Sequence, residues 1–256
     1  MEVIGQRIVT VEEHVSAEWV KRMYTFESKV RFSEVDHTER LTLPAVVNYF
    51  QDCSTFQSEE LGQGADVLKQ QGKAWILSAW QIEVERYPRI CENLKIDTWA
   101  TSFNGIYGNR NFRLRTDKEE VLARANSIWV YMDVAKGRPV RPESEVLSAY
   151  EVCPPLDMEQ VSRKITLPQE LEEREAFPVL RHQIDVNNHV NNCQYIQMAL
   201  EVLPECGRAR KIRVEYKKSA VLGDWIYPRV AMETERKVVE LCGTDGSVFA
   251  VVEMRE

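Results

Sequence analysis

The polar and apolar positions of the chain follow the same order twice. From residue 24, alternating apolar residues predict a strand, a polar turn follows, and apolar residues at helical spacing then predict a long helix. A second run with this order begins near residue 177. The first pattern is carried by Phe26, Val30, Phe32, Val46, Val47, Phe50 and Phe56. The second helix is carried by Tyr195, Ile196, Ala199, Leu200 and Leu203.

The segments that follow the two helices also repeat. Each half continues with alternating stretches typical of antiparallel strands, and each contains a hairpin, turning at 117–119 in the first half and 243–246 in the second. A single long helix followed by about four antiparallel strands is the plan of the hotdog fold, in which a curved sheet wraps the helix. Such a unit exposes a sheet edge and needs a partner. The sequence therefore predicts an α+β double hotdog, with a generic α+β fold as the alternative.

Composition shifts divide the chain into four parts. Residues 1–22 are mixed and polar and are interpreted as an N-terminal extension. Residues 23–140 form the first hotdog unit and residues 176–256 the second. The proline-containing and polar stretch 141–175 is interpreted as a linker with little core of its own.

The overall composition narrows the class of protein. Of the 256 residues, 44% are apolar, enough for a full core, and the formal net charge of −7 argues against a nucleic-acid partner. No stretch approaches the roughly 18 apolar residues of a membrane span, and no signal peptide is evident, so we expect no membrane insertion. The six Cys are scattered without a CxxC pair, which indicates reduced thiols in a cytoplasmic protein.

The polar turn of the second half, in "DVNNHVNNCQYI", carries more polar groups than a turn requires. Asn191 or Asn192 can cap the following helix, but one cap explains only one residue. Asp185, Asn187 and His189 stand at alternate positions, and in an extended segment they would project to one side. They supply a carboxylate, an amide and an imidazole beside a helix N-terminus, which suits the hydrolysis of a carbonyl compound. A structural polar turn remains the alternative.

The first half has the same turn with different side chains. Aligned on Asp36 and Asp185, Arg40 falls opposite His189 and Thr42 opposite Asn191. The first turn, which also contains His37, is therefore predicted to be structural or to line a substrate.

The motif "DVNNHVNNCQYI" resembles the D-x-N-x-H-V-N-N-x-x-Y-I motif of acyl–acyl carrier protein thioesterases. Three further segments are similar to that family in the right order: "VRFSEVDHTERLTLPAVVNYFQD", the stretch from "WATSF" to "RPVRP", and "IRVEYKKSAVLGD". The resemblance implies a double hotdog whose first half shapes the acyl-chain pocket and whose second half carries Asp185, Asn187 and His189 as the catalytic residues.

The resemblance also shows where this chain departs from the family. At the position of a Glu that joins the site in plant members stands Ser219, and beside it stands Ala220 instead of a Cys. We therefore take Asp185 as the general base, acting on water directly or through His189, with Asn187 polarising the carbonyl. Ser219 and Glu215 are kept as accessory candidates.

Other residues allow two interpretations. Cys193 could pair with a His as a nucleophile but is more typical of a small buried side chain, and the spacing of His182 and His189 is weak for zinc. Candidate acyl-chain contacts are Val47, Phe50, Trp75 and Trp80, for which core packing is the other interpretation.

The segment 207–218 is strongly basic. A run of charges usually forms a solvated face, but an acidic carrier protein could also dock there. The docking candidates are Arg210, Lys211, Arg213, Lys217 and Lys218.

The sequence thus predicts a cytoplasmic hydrolase of fatty acyl–acyl carrier protein that needs no metal or redox cofactor. The rivals are a hotdog acting on acyl-CoA and a non-catalytic acyl-binding module. Two chains could still associate as a homodimer.

Overall fold

The computed structural model of the protein describes residues 23–256. The predicted extension over 1–22 lies outside the described residues. In the first half, the elements are β1 (Tyr24–Lys29), α1 (Leu43–Glu60), α2 (Ala65–Gln70), β2 (Lys73–Val84), β3 (Asn93–Asn104), β4 (Tyr107–Thr116) and β5 (Val121–Asp133). The connection contains β6 (Arg138–Pro139), α3 (Ser144–Ser148) and β7 (Glu172–Glu173). The second half has β8 (Phe177–Pro178), α4 (Asn192–Val202), β9 (Lys211–Tyr216), β10 (Trp225–Met232), β11 (Lys237–Cys242) and β12 (Val248–Arg255).

The strand order of the first half recurs in the second. The first five strands pair in the order β1-β3-β4-β5-β2, and the second set pairs in the order β8-β10-β11-β12-β9. All of these neighbours are antiparallel. The hairpins turn at the predicted places, between β4 and β5 and between β11 and β12. Each half therefore has the one-helix, curved-sheet plan of a hotdog, and the predicted α+β double-hotdog fold is confirmed.

The two halves are joined edge to edge through β2 and β9. These strands pair antiparallel from Ala79 opposite Glu215 to Glu83 opposite Lys211. This pairing closes the exposed edge that each unit would have alone, and a paired edge no longer offers free N–H and C=O groups to another chain. One unit thus supplies the partner that the other requires.

The long helices lie together against the same sheet. Helix α1 begins after Thr42, whose hydroxyl accepts from the N–H of Ala45, and has Pro at its first turn, where a missing N–H leaves no bond unmade. Its buried residues include Val46, Val47, Phe50 and Cys53, at the spacing of one helix face. Helix α4 buries Tyr195, Ile196 and Ala199 in the same way. Side chains of both helices and both sets of strands form one continuous core.

The connection between the halves runs over the opposite face of the sheet. Ile165 is 2% exposed and packs with Val238 and Val251, from β11 and β12. The side chain of Gln81 donates to the carbonyl of Glu159 at 2.8 Å. The polar stretch therefore has no core of its own but is fixed to the sheet by buried contacts. Within residues 23–256, no helix is long and apolar enough to cross a membrane.

Candidate active site

The turn before α4 is built around the carboxylate of Asp185. Its Oδ1 accepts the backbone N–H groups of Asn187 and His189, at 2.8 and 3.2 Å. The Asp185 N–H donates to the His189 carbonyl at 2.7 Å, and Asn188 takes a left-handed conformation with φ 60°. An Asp that accepts the N–H two residues later is the usual Asx turn, and Asn tolerates positive φ better than most residues.

The segment is the predicted polar turn and not an extended strand in which alternate side chains would project to one side. Residues 186–189 form a tight turn, because the Asp185 carboxylate supplies a local acceptor that bends the backbone back. Asp185 is partly buried within the turn, whereas Asn187 and His189 are exposed. Among the described residues, neither the Asn187 amide nor the His189 imidazole has a hydrogen-bond partner. The two groups are therefore free to bind a ligand.

The C-terminal end of the turn is fixed by the helix and by the loop after β9. Asn191 is the N-cap of α4, as predicted, and its Oδ1 accepts from the Cys193 N–H at 2.9 Å. The Val190 N–H donates to the carbonyl of Ala220 at 2.9 Å. The Tyr216 hydroxyl donates to the Asn192 carbonyl at 2.9 Å. The turn thus lies beside the positive end of the α4 dipole on a rigid support.

The first half contains the same turn with its polar groups already occupied. Asp36 accepts from the N–H and hydroxyl of Thr38, at 2.9 and 2.7 Å, and the Asp36 N–H donates to the Arg40 carbonyl. The Asp36 carboxylate also pairs with Arg208, which donates to the Thr38 hydroxyl at 2.8 Å. Arg40 donates to the carbonyl of Tyr87 at 3.0 Å. Thr38 and Arg40 are the counterparts of Asn187 and His189. Their side chains are therefore engaged in hydrogen bonds within the protein.

A difference in side-chain size accompanies this difference in bonding. In the first half, the N–H of Leu41 donates to the carbonyl of Pro88, as that of Val190 does to Ala220. The residue before Pro88 is Tyr87, a buried ring that packs under the Arg208 guanidinium at 4.9 Å. The residue before Ala220 is Ser219, which is small and exposed. Tyr87 and Arg208 fill the space beside the first turn, and Ser219 leaves the second one open.

Glu215 and Ser219, the two accessory candidates, lie on different sides of the sheet. The Tyr216 side chain reaches Asn192 at the start of α4, so its neighbour Glu215 points to the opposite face of β9. Glu215 is buried there and accepts the N–H of Ile165 at 3.0 Å. This placement does not support an accessory role for Glu215. Ser219 lies next to the residue that holds the turn and keeps such a role open to test.

Cys193 is unsuited to nucleophilic attack. Its thiol is 1% exposed and donates to the Pro44 carbonyl at 3.5 Å. Burial raises the pKa of this thiol to about 12. Because the thiolate is the reactive form, a thiol that stays protonated in a closed site does not act as a nucleophile. Within residues 23–256, no group of three or more His, Cys, Asp or Glu side chains is placed to hold a metal ion.

The basic run of residues 207–218 is split by the fold. Arg213 lies on the sheet face covered by the connection, where it donates to the Ser162 carbonyl at 2.6 Å and pairs with Glu253 at 3.3 Å. Arg210 and Lys211 lie at the start of β9, whereas Lys217 and Lys218 follow its end and are exposed. About 20 Å of extended strand separates the two groups. Lys217 pairs with Glu215 at 3.7 Å on the sheet face away from the second turn, whereas Lys218 is two residues before Ala220, which holds that turn.

Three of the four candidate acyl contacts are buried in the interior, and Trp75 is partly buried. Val47 and Phe50 are fully buried on α1, and Trp80 is 2% exposed with its ring 6.1 Å from that of Phe50. Trp75 belongs to a separate cluster with Tyr131, at 4.9 Å between ring centroids. The first three therefore surround one part of the first-half core, and Trp75 lies apart from them.

Comparison with known families agrees with this architecture. Residues 21–150 match the acyl-ACP thioesterase N-terminal domain, and residues 167–243 match the acyl-ACP thioesterase C-terminal domain. The chain belongs to the acyl-ACP thioesterase family. The resemblance inferred from the motif around Asp185 is confirmed.

Two plant relatives illustrate the extent of the similarity. Oleoyl-acyl carrier protein thioesterase 2, chloroplastic, of Arabidopsis thaliana is 28% identical over 240 residues, covering 85% of this chain and 65% of the relative. The oleoyl-acyl carrier protein thioesterase, chloroplastic, of Coriandrum sativum is 25% identical over 250 residues, covering 89% of this chain and 68% of the relative. This member of the acyl-ACP thioesterase family thus spans about two thirds of the length of these relatives.

Solved structures of the family share the fold. An acyl-ACP thioesterase from Bacteroides thetaiotaomicron superposes with a TM-score of 0.83 and 22% identity, covering 92% of this chain and 98% of the other. The 12:0-ACP thioesterase from Umbellularia californica superposes with a TM-score of 0.79 and 18% identity, covering 91% and 96%. The whole double hotdog, including both turns, is therefore within the matched part of the chain.

Proposed function

We propose that this family member hydrolyses a fatty acyl thioester carried on acyl carrier protein, releasing a free fatty acid and the carrier thiol. The observation that carries the proposal is the contrast between the two turns. The Asn187 and His189 side chains have free polar groups at an open surface, whereas the side chains of Thr38 and Arg40 are engaged in internal hydrogen bonds. Membership of the acyl-ACP thioesterase family supports the substrate class.

In the proposed reaction, His189 removes a proton from water while the water oxygen forms a bond to the thioester carbonyl carbon. Imidazole titrates near neutral pH and suits this exchange. The carbonyl oxygen becomes negative and is stabilised by the Asn187 amide and the positive end of α4. The carbon–sulfur bond then breaks, and the proton held by His189 passes to the leaving sulfur.

Asp185 is proposed to act through the other two residues. Its Oδ1 is engaged by the N–H groups of Asn187 and His189, so the carboxylate fixes the backbone on which both side chains stand. Because its Oδ1 is engaged in this way, Asp185 is proposed to act through His189 and not to remove a proton from water itself.

The acyl chain is proposed to enter the first-half core beside Val47, Phe50 and Trp80. These apolar side chains lie on or against α1, whose Gln51 amide donates to the Asn191 side chain at 3.3 Å. Helix α1 thus connects this part of the core with the N-cap of α4. Because the three side chains are tightly packed, they must move apart to admit a chain.

The test is a direct comparison of carriers. Purified protein is given matched acyl chains of several lengths on acyl carrier protein and on CoA, and free thiol release is measured. We expect a higher kcat/KM with the carrier protein at one or more chain lengths. A preference for CoA would identify an acyl-CoA thioesterase, and binding without release on either carrier would identify an acyl-binding module. The cytoplasmic location and homodimer formation stay predictions.

A further inference from the structure

The backbone around the two turns makes equivalent hydrogen bonds in the two halves. The N–H of Val30 donates to the Glu92 carbonyl at 3.0 Å, and that of Val179 donates to the Asp224 carbonyl at 2.8 Å. The carboxylate of Glu92 accepts the N–H of Arg89 at 2.9 Å, as Asp224 does for Val221. Cys91 and Gly223 both have positive φ, 67° and 95°. Every position around one turn therefore has a defined counterpart around the other.

At four of five exposed positions around the second turn, an apolar side chain replaces a polar one, and at the fifth Leu222 stands opposite the apolar Ile90. The second-half residues are 41% to 85% exposed and form an apolar rim: Leu180, Val186, Val221, Leu222 and Trp225. Their first-half counterparts are Arg31, His37, Arg89, Ile90 and Asn93. At one further position the exchange is reversed, since Arg181 stands opposite the exposed Phe32.

The members of the rim lie on three segments held together at the mouth of the candidate site. Val186 is part of the turn itself, beside Asp185 and Asn187. The loop carrying Val221 and Leu222 is joined to the turn through the bond between Val190 and Ala220. Trp225 pairs with Pro178, two residues before Leu180 in the chain. Folding of a monomer does not require five exposed apolar side chains here, because the equivalent scaffold of the first half carries polar residues at four of the same positions.

Basic side chains flank the rim. Arg181 and Lys218 are exposed beside it in a chain with net charge −7, and Lys218 pairs with Asp245 at 3.6 Å. The carboxylates of Asp185 and Asp224 each accept backbone N–H groups. An apolar surface at the mouth of a site, with cations at its border, fits an acidic protein partner that delivers a tethered substrate.

We propose that the apolar rim is the docking surface for the acyl carrier protein. The inference rests on the proposed function and names the surface by which that site receives its macromolecular substrate. The carrier places its acyl thioester over Asn187 and His189 while its own apolar residues cover Leu222 and Trp225. The docking role expected for the basic run is retained at Lys218. Arg213 is excluded by its bonds to the connection, and Lys217 is excluded by its pairing with Glu215 on the same face.

The scaffold supplies a matched pair of variants. Leu222→Asp introduces a charge into the exposed rim, and Ile90→Asp introduces the same charge at the counterpart position of the first half. Each variant is assayed with an acyl chain on carrier protein and with the same chain on a small thiol. Leu222→Asp should raise KM for the carrier-protein substrate about tenfold, the size of effect typical of an interface anchor. It should change kcat for the carrier-protein substrate, and both kcat and KM for the small thioester, by less than about twofold. Ile90→Asp should change neither kcat nor KM for either substrate.

Three results would overturn the proposal. One is an equal loss on both substrates in Leu222→Asp, and another is an equal effect of the two variants on KM for the carrier. The third is a change of partner with the KM for the carrier unchanged. If light scattering then shows that Leu222→Asp dissociates a dimer, the rim binds a second copy. If Leu222→Asp abolishes binding to phospholipid vesicles, the rim binds a membrane.

A binding measurement separates this inference from the proposed function. Calorimetric titration with acyl carrier protein bearing a non-hydrolysable acyl thioether reports docking without turnover. If the protein hydrolyses neither substrate but Leu222→Asp weakens this binding and Ile90→Asp does not, the function fails and the docking surface stands. Equal affinity in the wild type and Leu222→Asp overturns the docking surface whatever the activity.

Discussion

The chemistry proposed at single-residue scale depends on two side chains with free polar groups. Asn187 and His189 stand on a turn whose backbone is fixed by Asp185, so their removal should change chemistry rather than folding. Both are exposed, and truncating exposed side chains away from caps and cores usually changes stability little.

His189→Ala should lower kcat by about 10²- to 10⁴-fold, because a general base contributes on this scale. Asn187→Ala should lower kcat by about 10²- to 10³-fold, the effect of losing one oxyanion donor. Single-turnover kinetics on acyl carrier protein substrates measure both, with urea unfolding as the control for folding. Unchanged turnover in either variant would remove that residue from the mechanism.

Cys193→Ser should retain most of the activity. The thiol is closed off within the core, burial raises its pKa to about 12, and the Ser hydroxyl can still donate to the Pro44 carbonyl. Steady-state kcat is the readout, and the wild type treated with a thiol-alkylating reagent is a second control. Complete loss of activity in a folded Cys193→Ser protein would indicate a covalent mechanism.

At the scale of the elements, the two long helices have different caps on equivalent turns. Thr42 caps α1 and Asn191 caps α4, and each side-chain oxygen accepts one backbone N–H of the first turn. The Asn191 side chain also accepts from Gln51 of α1. The cap of α4 therefore links the second turn with the neighbouring helix.

Thr42→Ala and Asn191→Ala should each reduce the free energy of unfolding by about 1 kcal/mol, the usual effect of losing a helix cap. Only Asn191→Ala should also lower turnover, because its helix begins directly after the proposed catalytic turn. Urea unfolding and kcat are measured for both variants. A loss of turnover in Thr42→Ala equal to that in Asn191→Ala would place the first turn in the reaction.

At the scale of the whole molecule, ion pairs hold the outer face of the sheet. Asp97 has no exposed surface and pairs with Arg113 and Arg115, at 2.9 and 2.7 Å. Burial acts to raise the pKa of Asp97, but the hydrogen bond from Arg115 and the charge of Arg113 outweigh it, so the pKa is lowered. The pKa of Glu253 is likewise lowered, since Arg236, Arg213 and Arg255 outweigh its burial.

The protein should lose stability in acid through these carboxylates. A carboxylate whose pKa is lower in the folded state stabilises the fold fully above its unfolded pKa of about 4, and this contribution is lost as pH falls through the folded pKa. Urea unfolding between pH 7 and pH 3 measures the loss. Asp97→Asn should be less stable at pH 7, because it removes the buried carboxylate that pairs with Arg113 and Arg115, and should show a shallower decline in acid. An unchanged slope would contradict this role for Asp97.

Local patterns in the sequence predict the parts of the fold that neighbouring residues determine. The helical spacing of Val46 and Phe50, the capping chemistry of Asn191 and the hairpin signal at 243–246 each act over a few residues, and each is confirmed. The duplicated pattern predicts the double hotdog for the same reason, because each copy repeats a local order of elements. Residues 185–189 form the polar turn that the sequence predicts, because one carboxylate accepts two nearby backbone N–H groups.

The sequence by itself determined the two-copy architecture, the family and the residue types at the second turn. Only the tertiary structure decided which of those residues are free, since that depends on groups distant in the chain. Arg208 pairs with Asp36 of the first turn, 172 residues away in the chain. The Ile165 N–H donates to Glu215 on the far face of the sheet. The apolar rim was found in the same way, because nothing in the sequence distinguishes Leu180, Val186 and Leu222 from other apolar residues. Folding places them together at the surface, where their backbone positions are fixed by the same hydrogen bonds that fix the counterpart positions in the other half.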